Sequence, residues 1–338
     1  MRKLRVGMMG FGRVGRQIYR LALKDERFDV VAISDIGRPK ILHHLLTRTD
    51  HDMGVMLNGN YLECGDVRTR LMPADHPTEI PWDVFGVDVV IEATGRFHRA
   101  DDLRPHLHNG APRVVLSALP QDDIDRVVLV GVNDTEARAT DAMVSAGSAS
   151  TTATALAFKT ITEVWPVEHA TMTSVHAYTS DQSLQDYAGP DYRRSRSGAE
   201  NIIPNATPAL QWVQRAVPAM AGRMTAYALN VPVQVGSMLD LTFSFRDSGI
   251  SADAVNDLFG NAARVRPDLI ATTRDPIVSS DVRGSLQSLL VDMEGTMAAG
   301  SRMVKVLAWH ETLGHARRIL DVVGLYADLD DAKQKEAS

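Results

Sequence analysis

Residues 4–15 read Leu4-Arg5-Val6-Gly7-Met8-Met9-Gly10-Phe11-Gly12-Arg13-Val14-Gly15. Leu4–Met9 has the length and apolar character of a buried strand, and Arg13–Leu23 carries helical periodicity, so the glycines mark a strand-to-helix turn. Each glycine has a separate task there. Gly10 permits the tight turn, Gly12 lets the backbone approach a pyrophosphate, and Gly15 allows close helix–strand packing. The helix that begins at Arg13 would offer its unpaired N–H groups to phosphates. Phe28–Ser34 reads as the next strand, and Asp35 follows it, twenty residues beyond Gly15. An acid at that place accepts hydrogen bonds from a ribose diol and repels a 2′-phosphate, so the turn reads as a site for NAD rather than NADP.

Further apolar runs at Val87–Glu92, Arg113–Ser117, Val127–Val130 and Met143–Ser145 extend the pattern of buried parallel strands separated by helical segments. The expected fold is therefore α/β, with a doubly wound dinucleotide-binding domain. Beyond residue 150 the runs become longer and alternate, as in Thr171–Ala177, Met238–Arg246 and Met303–Trp309, with few helices between them. That rhythm implies an α+β domain with a mainly antiparallel sheet. Thr312–Ala327 returns to helical periodicity, and Asp328–Ser338 reads as a charged, frayed tail. The expected division is 1–148 completed by 312–338, with 149–311 as the substrate domain. The polar stretch Tyr178–Asn201 is long for a loop in a compact domain, which points to a function.

Composition narrows the function classes. The 338 residues carry 36 Lys and Arg against 42 Asp and Glu, a net charge of −6, which argues against an extended nucleic-acid surface. Apolar residues make up 44%, so the chain is globular rather than disordered, and no apolar run reaches membrane-spanning length. The opening ten residues are basic then apolar, but glycines and Arg13 interrupt them too soon for a signal peptide. A single cysteine, Cys64, excludes internal disulfides and multi-thiolate metal sites. His43, His44 and His51 lack the spacing of metal ligands, so no metal is expected. Arg193, Arg194 and Arg196 read as salt-link partners, not as a nucleic-acid patch. A cytoplasmic protein is expected.

At the level of whole motifs the chain resembles the glyceraldehyde-3-phosphate dehydrogenase family. The resemblance is carried by Val6–Arg16, Glu92-Ala93-Thr94-Gly95-Arg96-Phe97, Gly131-Val132-Asn133, Ser174-Val175-His176-Ala177-Tyr178-Thr179, Asn201-Ile202-Ile203-Pro204, Val231-Pro232 and Val278-Ser279-Ser280-Asp281, in family order over nearly the whole chain. It implies an NAD domain bordered by Gly10, Phe11, Gly12, Arg13, Val14, Gly15, Asp35, Thr94, Gly95 and Ser117, and a homotetramer whose long loop packs beside a neighbour's cofactor. It also implies oxidation of a small aldehyde, with inorganic phosphate, to an acyl phosphate. A cysteine thiolate makes that attack and a histidine, here His176, assists it.

The departures from the family pattern are equally specific. The nucleophile position is Ala149, within Ser148-Ala149-Ser150, and the second cysteine position is Ala153. A methyl group cannot add to an aldehyde, so the chain is expected to lack thioester chemistry. Two origins stand open: a nucleophile removed by substitution, or a natural relative that lost or changed its chemistry and serves as a non-catalytic NAD-binding partner. The arginine that would hold a terminal phosphate is Asn230, and the following threonine is Val233, whereas Thr179 and Asp181 are kept. Ser148, Ser150 and Thr207 match the inorganic-phosphate pocket, with Pro208 in place of a glycine. Met9 stands where the family has asparagine near the pyrophosphate turn. Trp309-His310-Glu311-Thr312-Leu313-Gly314-His315 replaces the segment that orients the nicotinamide.

Overall fold

The computed structural model describes residues 2–48, 53–179 and 182–337. The chain divides into two compact units, Met1–Gly147 with Ala316–Ser338, and Ser148–His315.

The first unit runs β1 (Leu4–Met9), α1 (Arg13–Leu23), β2 (Phe28–Ser34), α2 (Pro39–Arg48), β3 (Met56–Asn58), β4 (Tyr61–Cys64), β5 (Val67–Met72), α3 (Trp82–Phe85), β6 (Val89–Glu92), α4 (Ala100–His108), β7 (Val114–Leu116), β8 (Arg126–Val127) and β9 (Met143–Ser145). These strands form one sheet in the order β3-β4-β5-β2-β1-β6-β7-β9-β8. Strands β5 through β8 in that order pair in parallel, and only the β3–β4–β5 edge is antiparallel. Both faces are covered, as a parallel sheet requires. Val6, Met8 and Ile33 face a core shared with Ile18 and Tyr19 of α1, and Met9, Val90 and Val114 face the other side with Trp82 and Leu103. Chain order reverses at β1, which lies between β2 and β6. The C-terminal ends of these strands therefore flank the crevice where open α/β sheets bind ligands.

The second unit begins with α5 (Ala149–Thr162) and β10 (Val167–Ala177), followed by β11 (Ile203–Asn205), α6 (Ala209–Ala216), β12 (Met224–Val231), β13 (Ser237–Phe245), α7 (Ala252–Val265), β14 (Ile270–Thr273), β15 (Leu289–Ala299) and β16 (Met303–His310). Its sheet order is β11-β12-β10-β13-β16-β15-β14. Four of its six pairings are antiparallel; β10–β12 and β14–β15 are parallel. The sheet is thus mixed, because the returns from β10 to β12 and from β14 to β15 are not hairpins. Helix α5 is buried from Thr151 to Phe158, and Phe158 packs on Phe243 at 4.9 Å between ring centroids.

Helix α8 (Thr312–Ala337) starts in the second unit and places Ala316, Ile319, Leu320, Val323 and Tyr326 in the core of the first. The residues after 327, expected to fray, continue this helix. Asp330 explains it: its carboxylate receives Arg113 at 2.6 Å, and that guanidinium lies over the Tyr326 ring. Two further expectations change. Of Val127–Val130 only Val127 lies in a strand, the two-residue β8 at the sheet edge, since Val128 and Leu129 turn into the core. Helices of 8 and 14 residues, α6 and α7, interrupt the second unit's strands. Among the described residues no helix is long and apolar enough to cross a membrane, and no cluster of metal-ligating side chains occurs.

Candidate active site

In the first unit the expected cofactor residues share one edge of the sheet. Gly10–Gly15 follows β1, Asp35 follows β2, Thr94 and Gly95 follow β6, and Ser117 follows β7. Gly10 has φ +95°, and a Cβ there would sit 2.5 Å from the backbone of Ala93 and Thr94. A Cβ on Gly15 would lie 2.2 Å from the Gly10 carbonyl oxygen, so α1 leaves the turn in near contact with it. Gly12 meets nothing within 4 Å; its surroundings are open. As the N-cap of α1 it supplies no capping side chain, so the N–H groups at that helix start remain available to an anion. Asp35 accepts the Phe11 N–H at 2.7 Å and the Gly37 N–H at 2.8 Å, which ties the acid to the glycine turn and leaves other lone pairs for a diol. These features fit a dinucleotide.

Not every residue in the turn presents its side chain to that crevice. Phe11 is buried against Tyr19, so only its backbone borders the site, and Met9 is buried in the opposite core. Arg13 is exposed and Val14 packs on the core. Thr94 donates its hydroxyl and N–H to Glu92. That carboxylate is fully buried beside His106, at 3.3 Å, which in turn receives the Trp82 N–H at 3.0 Å. This Trp82–His106–Glu92–Thr94 chain stiffens the end of β6. Glu92 and Thr94 belong to the Glu92–Phe97 motif, but Trp82 and His106 lie outside it and carried no signal.

The second unit brings its expected residues toward one end. Only residues 163–166 separate α5 from β10, so the helix runs back over the strand, and Thr154 touches Met172 at 3.0 Å. The start of α5, at Ala149, therefore lies toward the same end as His176, at the close of β10. Side chains alternate along a strand, so His176 shares the α5-facing side of the sheet with Met172 and Ser174. Ser148 caps α5: its Oγ accepts the Thr151 N–H at 3.2 Å and shares a hydrogen bond with the Thr151 hydroxyl at 2.7 Å. Ser148, Ala149 and Ser150 are all partly exposed, whereas Ala153 is buried. Thr207 accepts the Ala209 N–H at 3.2 Å, taking over the capping that Pro208 cannot supply to α6.

The imidazole of His176 shares a 2.9 Å hydrogen bond with the buried Ser174 hydroxyl and lies edge-on to His310, 5.9 Å between ring centroids. Burial lowers the His176 pKa. Burial also drives His310 down to about 3, reinforced by the neighbouring His176 and His315. Both rings are neutral at pH 7, and a neutral imidazole can accept a proton. Asn230 stands in register with His176 on the adjacent parallel strand, and it donates to Gln182 at 2.6 Å. Thr179 is exposed and gives its N–H to Gln182; Asp181 lies outside the described residues, as does His51. His43 is held by the Val55 carbonyl at 2.9 Å. Arg196 pairs with Asp186 inside its own loop, while Arg193 reaches Tyr227. Ser174 was within reach of sequence reasoning, since it lies two residues before His176 on a strand; His310 was visible only as part of the altered Trp309–His315 segment, and Gln182 carried no signal.

Two family profiles match the chain. The NAD binding domain of glyceraldehyde 3-phosphate dehydrogenase covers residues 4–100, and the C-terminal domain of the same enzyme covers residues 148–312. Among curated proteins, the glyceraldehyde-3-phosphate dehydrogenase of Kitasatospora aureofaciens is 38% identical over 333 residues, covering 96% of this chain and 99% of that one. The enzyme of Mycobacterium leprae is 35% identical over 335 residues, covering 95% and 98%. That of Geobacillus stearothermophilus is 34% identical over 331 residues, covering 96% and 98%. With a glycine turn shaped for a dinucleotide in one unit and a partly buried, neutral histidine in the other, matched along nearly its full length by these relatives, the chain belongs to the glyceraldehyde-3-phosphate dehydrogenase family, whose cofactor is NAD.

Proposed function

We propose that this protein is an NAD-dependent dehydrogenase of the phosphorylating aldehyde type in its architecture, with its nucleophile position held by Ala149 and its substrate changed. The observation that carries the reading is Ala149 as the first residue of α5, directly after the Ser148 cap. A cysteine in that place would have its thiolate favoured by the helix N-terminus. The alanine methyl offers no lone pair to an aldehyde carbon, so no covalent intermediate forms. Ser148 is no substitute, because its Oγ is committed to the helix cap.

The remaining residues keep defined tasks. Gly10, Gly12, Gly15 and Asp35 would hold the adenosine and pyrophosphate of NAD, which when bound supplies a hydride acceptor. His176, neutral and partly buried, takes up a proton from a substrate hydroxyl or hydrate. Ser150 and Thr207 offer hydroxyls to an anion such as inorganic phosphate, and Thr179 contributes a polar wall. We assign the protein to a cytoplasmic homotetramer. Tyr192 and Leu184, which are 97% and 58% exposed on the long loop, support burial of that loop by another subunit.

The test is Ala149→Cys. The new thiol should react with iodoacetamide faster than Cys64 at pH 7, and His176→Asn should change its pH profile. Labelling with an ordinary thiol pKa near 8.5, indifferent to His176→Asn, would leave the second reading: a non-catalytic NAD-binding member with a regulatory or assembly role.

A further inference from the structure

Beside His176 the second unit carries a continuous row of carboxamides. Asn205, at the end of β11, donates to the Asn230 carbonyl oxygen, and Asn230 donates to Gln182 Oε1 at 2.6 Å. Gln182 Oε1 also accepts the backbone N–H of Thr179 at 3.2 Å. That backbone donor fixes the orientation of the whole row, because a backbone N–H cannot become an acceptor. The Gln182 oxygen must face Thr179, so Asn230 must present its nitrogen to Gln182 and its oxygen to Asn205.

The valences left over define what the row can bind. Gln182 is 6% exposed, and its Nε2 has no partner among the described residues. A buried donor without an acceptor is costly, so the site is built to receive one. The partners that the structure gives to these three side chains are all neutral. Placing an anion against them would desolvate its charge with no cation among those partners to compensate. A carboxamide cannot provide the bidentate charged fork of a guanidinium. A hydroxyl, by contrast, is both donor and acceptor and matches a row that offers nitrogens and oxygens in alternation.

We infer that the Asn205, Asn230 and Gln182 amides are the specificity-determining residues of the substrate pocket, and that they select an uncharged, hydroxyl-bearing substrate end over a phosphorylated one. The inference rests on the reading of His176 as the centre of the substrate site. Asn230 is its in-register neighbour on the same sheet face, so an aldehyde or alcohol carbon at His176 would extend its far end along the amides.

The test compares D-glyceraldehyde with its 3-phosphate by calorimetric titration. Inorganic phosphate is kept saturating, so that the pocket near Ser150 and Thr207 does not bind the ester. The neutral triose should bind at least about tenfold more tightly than the ester, and Asn230→Arg should reverse that order. Gln182→Met should weaken the neutral triose about tenfold, with the melting temperature measured alongside. If that variant does not fold, the Asn230→Arg ratio carries the test alone. A wild-type preference for the ester, or an Asn230→Arg ratio unchanged from wild type, overturns the inference. The titration uses neither thiol nor NAD, so it fails separately from the Ala149→Cys experiment.

Discussion

Gly12 and Gly15 stand three residues apart in one turn, and the structure gives alanine opposite consequences at the two positions. At Gly15 the added Cβ would meet the Gly10 carbonyl oxygen at 2.2 Å and its carbon at 3.1 Å. Both are backbone atoms, so no rotamer change relieves the clash, and α1 must move away from the sheet by about an ångström. Overpacking of this kind costs about 1–3 kcal/mol, and a rigid backbone contact belongs at the upper end. For a chain of 338 residues about 3 kcal/mol lowers the melting temperature by roughly 4 °C. At Gly12 nothing lies within 4 Å and φ is −67°, which alanine adopts freely. Gly12→Ala should therefore cost about 1 kcal/mol or less, the loss of a tolerant N-cap residue. It should still weaken NAD by at least about tenfold, because its methyl fills the approach reserved for the pyrophosphate. Differential scanning calorimetry without cofactor, followed by NAD titration, separates the two effects. Wild-type NAD affinity in Gly12→Ala, or an unchanged melting temperature in Gly15→Ala, would refute this assignment of roles.

Two other substitutions follow from named contacts. Asp35 accepts the Phe11 and Gly37 N–H groups on separate carboxylate oxygens, so Asp35→Asn removes the charge and keeps an acceptor for only one of them; the turn should loosen and the preference for NAD over NADP should narrow about tenfold, and a wild-type protein that binds both equally in titration would contradict the role given to Asp35. His310 stays neutral in the folded chain down to about pH 3, whereas its unfolded imidazole takes a proton near 6.5, so its contribution to stability is present above pH 6.5 and is lost as pH falls toward 3. His310→Phe should flatten the fall in urea midpoint between pH 7.5 and pH 4.5, and an identical fall in both proteins would show that His310 is not the group responsible.

How much of this was legible in the sequence depends on how far apart the constrained residues lie. The dinucleotide turn is local: Gly10 and Gly15 answer to backbone within the same turn or at the end of an adjoining strand and Gly12 faces open space between them, so their spacing alone exposes the geometry. Strand existence was equally local, and Leu4–Met9 and Phe28–Ser34 form where their apolar runs lie. Pairing direction was not, because β10 and β12 run parallel only as a result of the long return between them. Nor was the fate of the charged tail, which became helix through Arg113, more than two hundred residues away.

The substrate site divides in the same way. Ala149 is visible as a departure because the surrounding serines and threonines keep their order, and Asn230 is visible because Val231-Pro232 follows it. Gln182 and Asn205 are ordinary amides on segments far from both, and nothing in the sequence says that three carboxamides form one hydrogen-bonded row. Yet that row alters what the lost nucleophile means. If Ala149 were the only change, the pocket would still be built for an anion, and restoring a thiol would restore the family reaction. With Asn230 held by Gln182 and Asn205, a guanidinium at position 230 would have to break two amide hydrogen bonds to occupy the place. The departure at 230 is therefore integrated into the fold around it, and Ala149→Cys alone should revive thiol reactivity without reviving turnover of a phosphorylated triose.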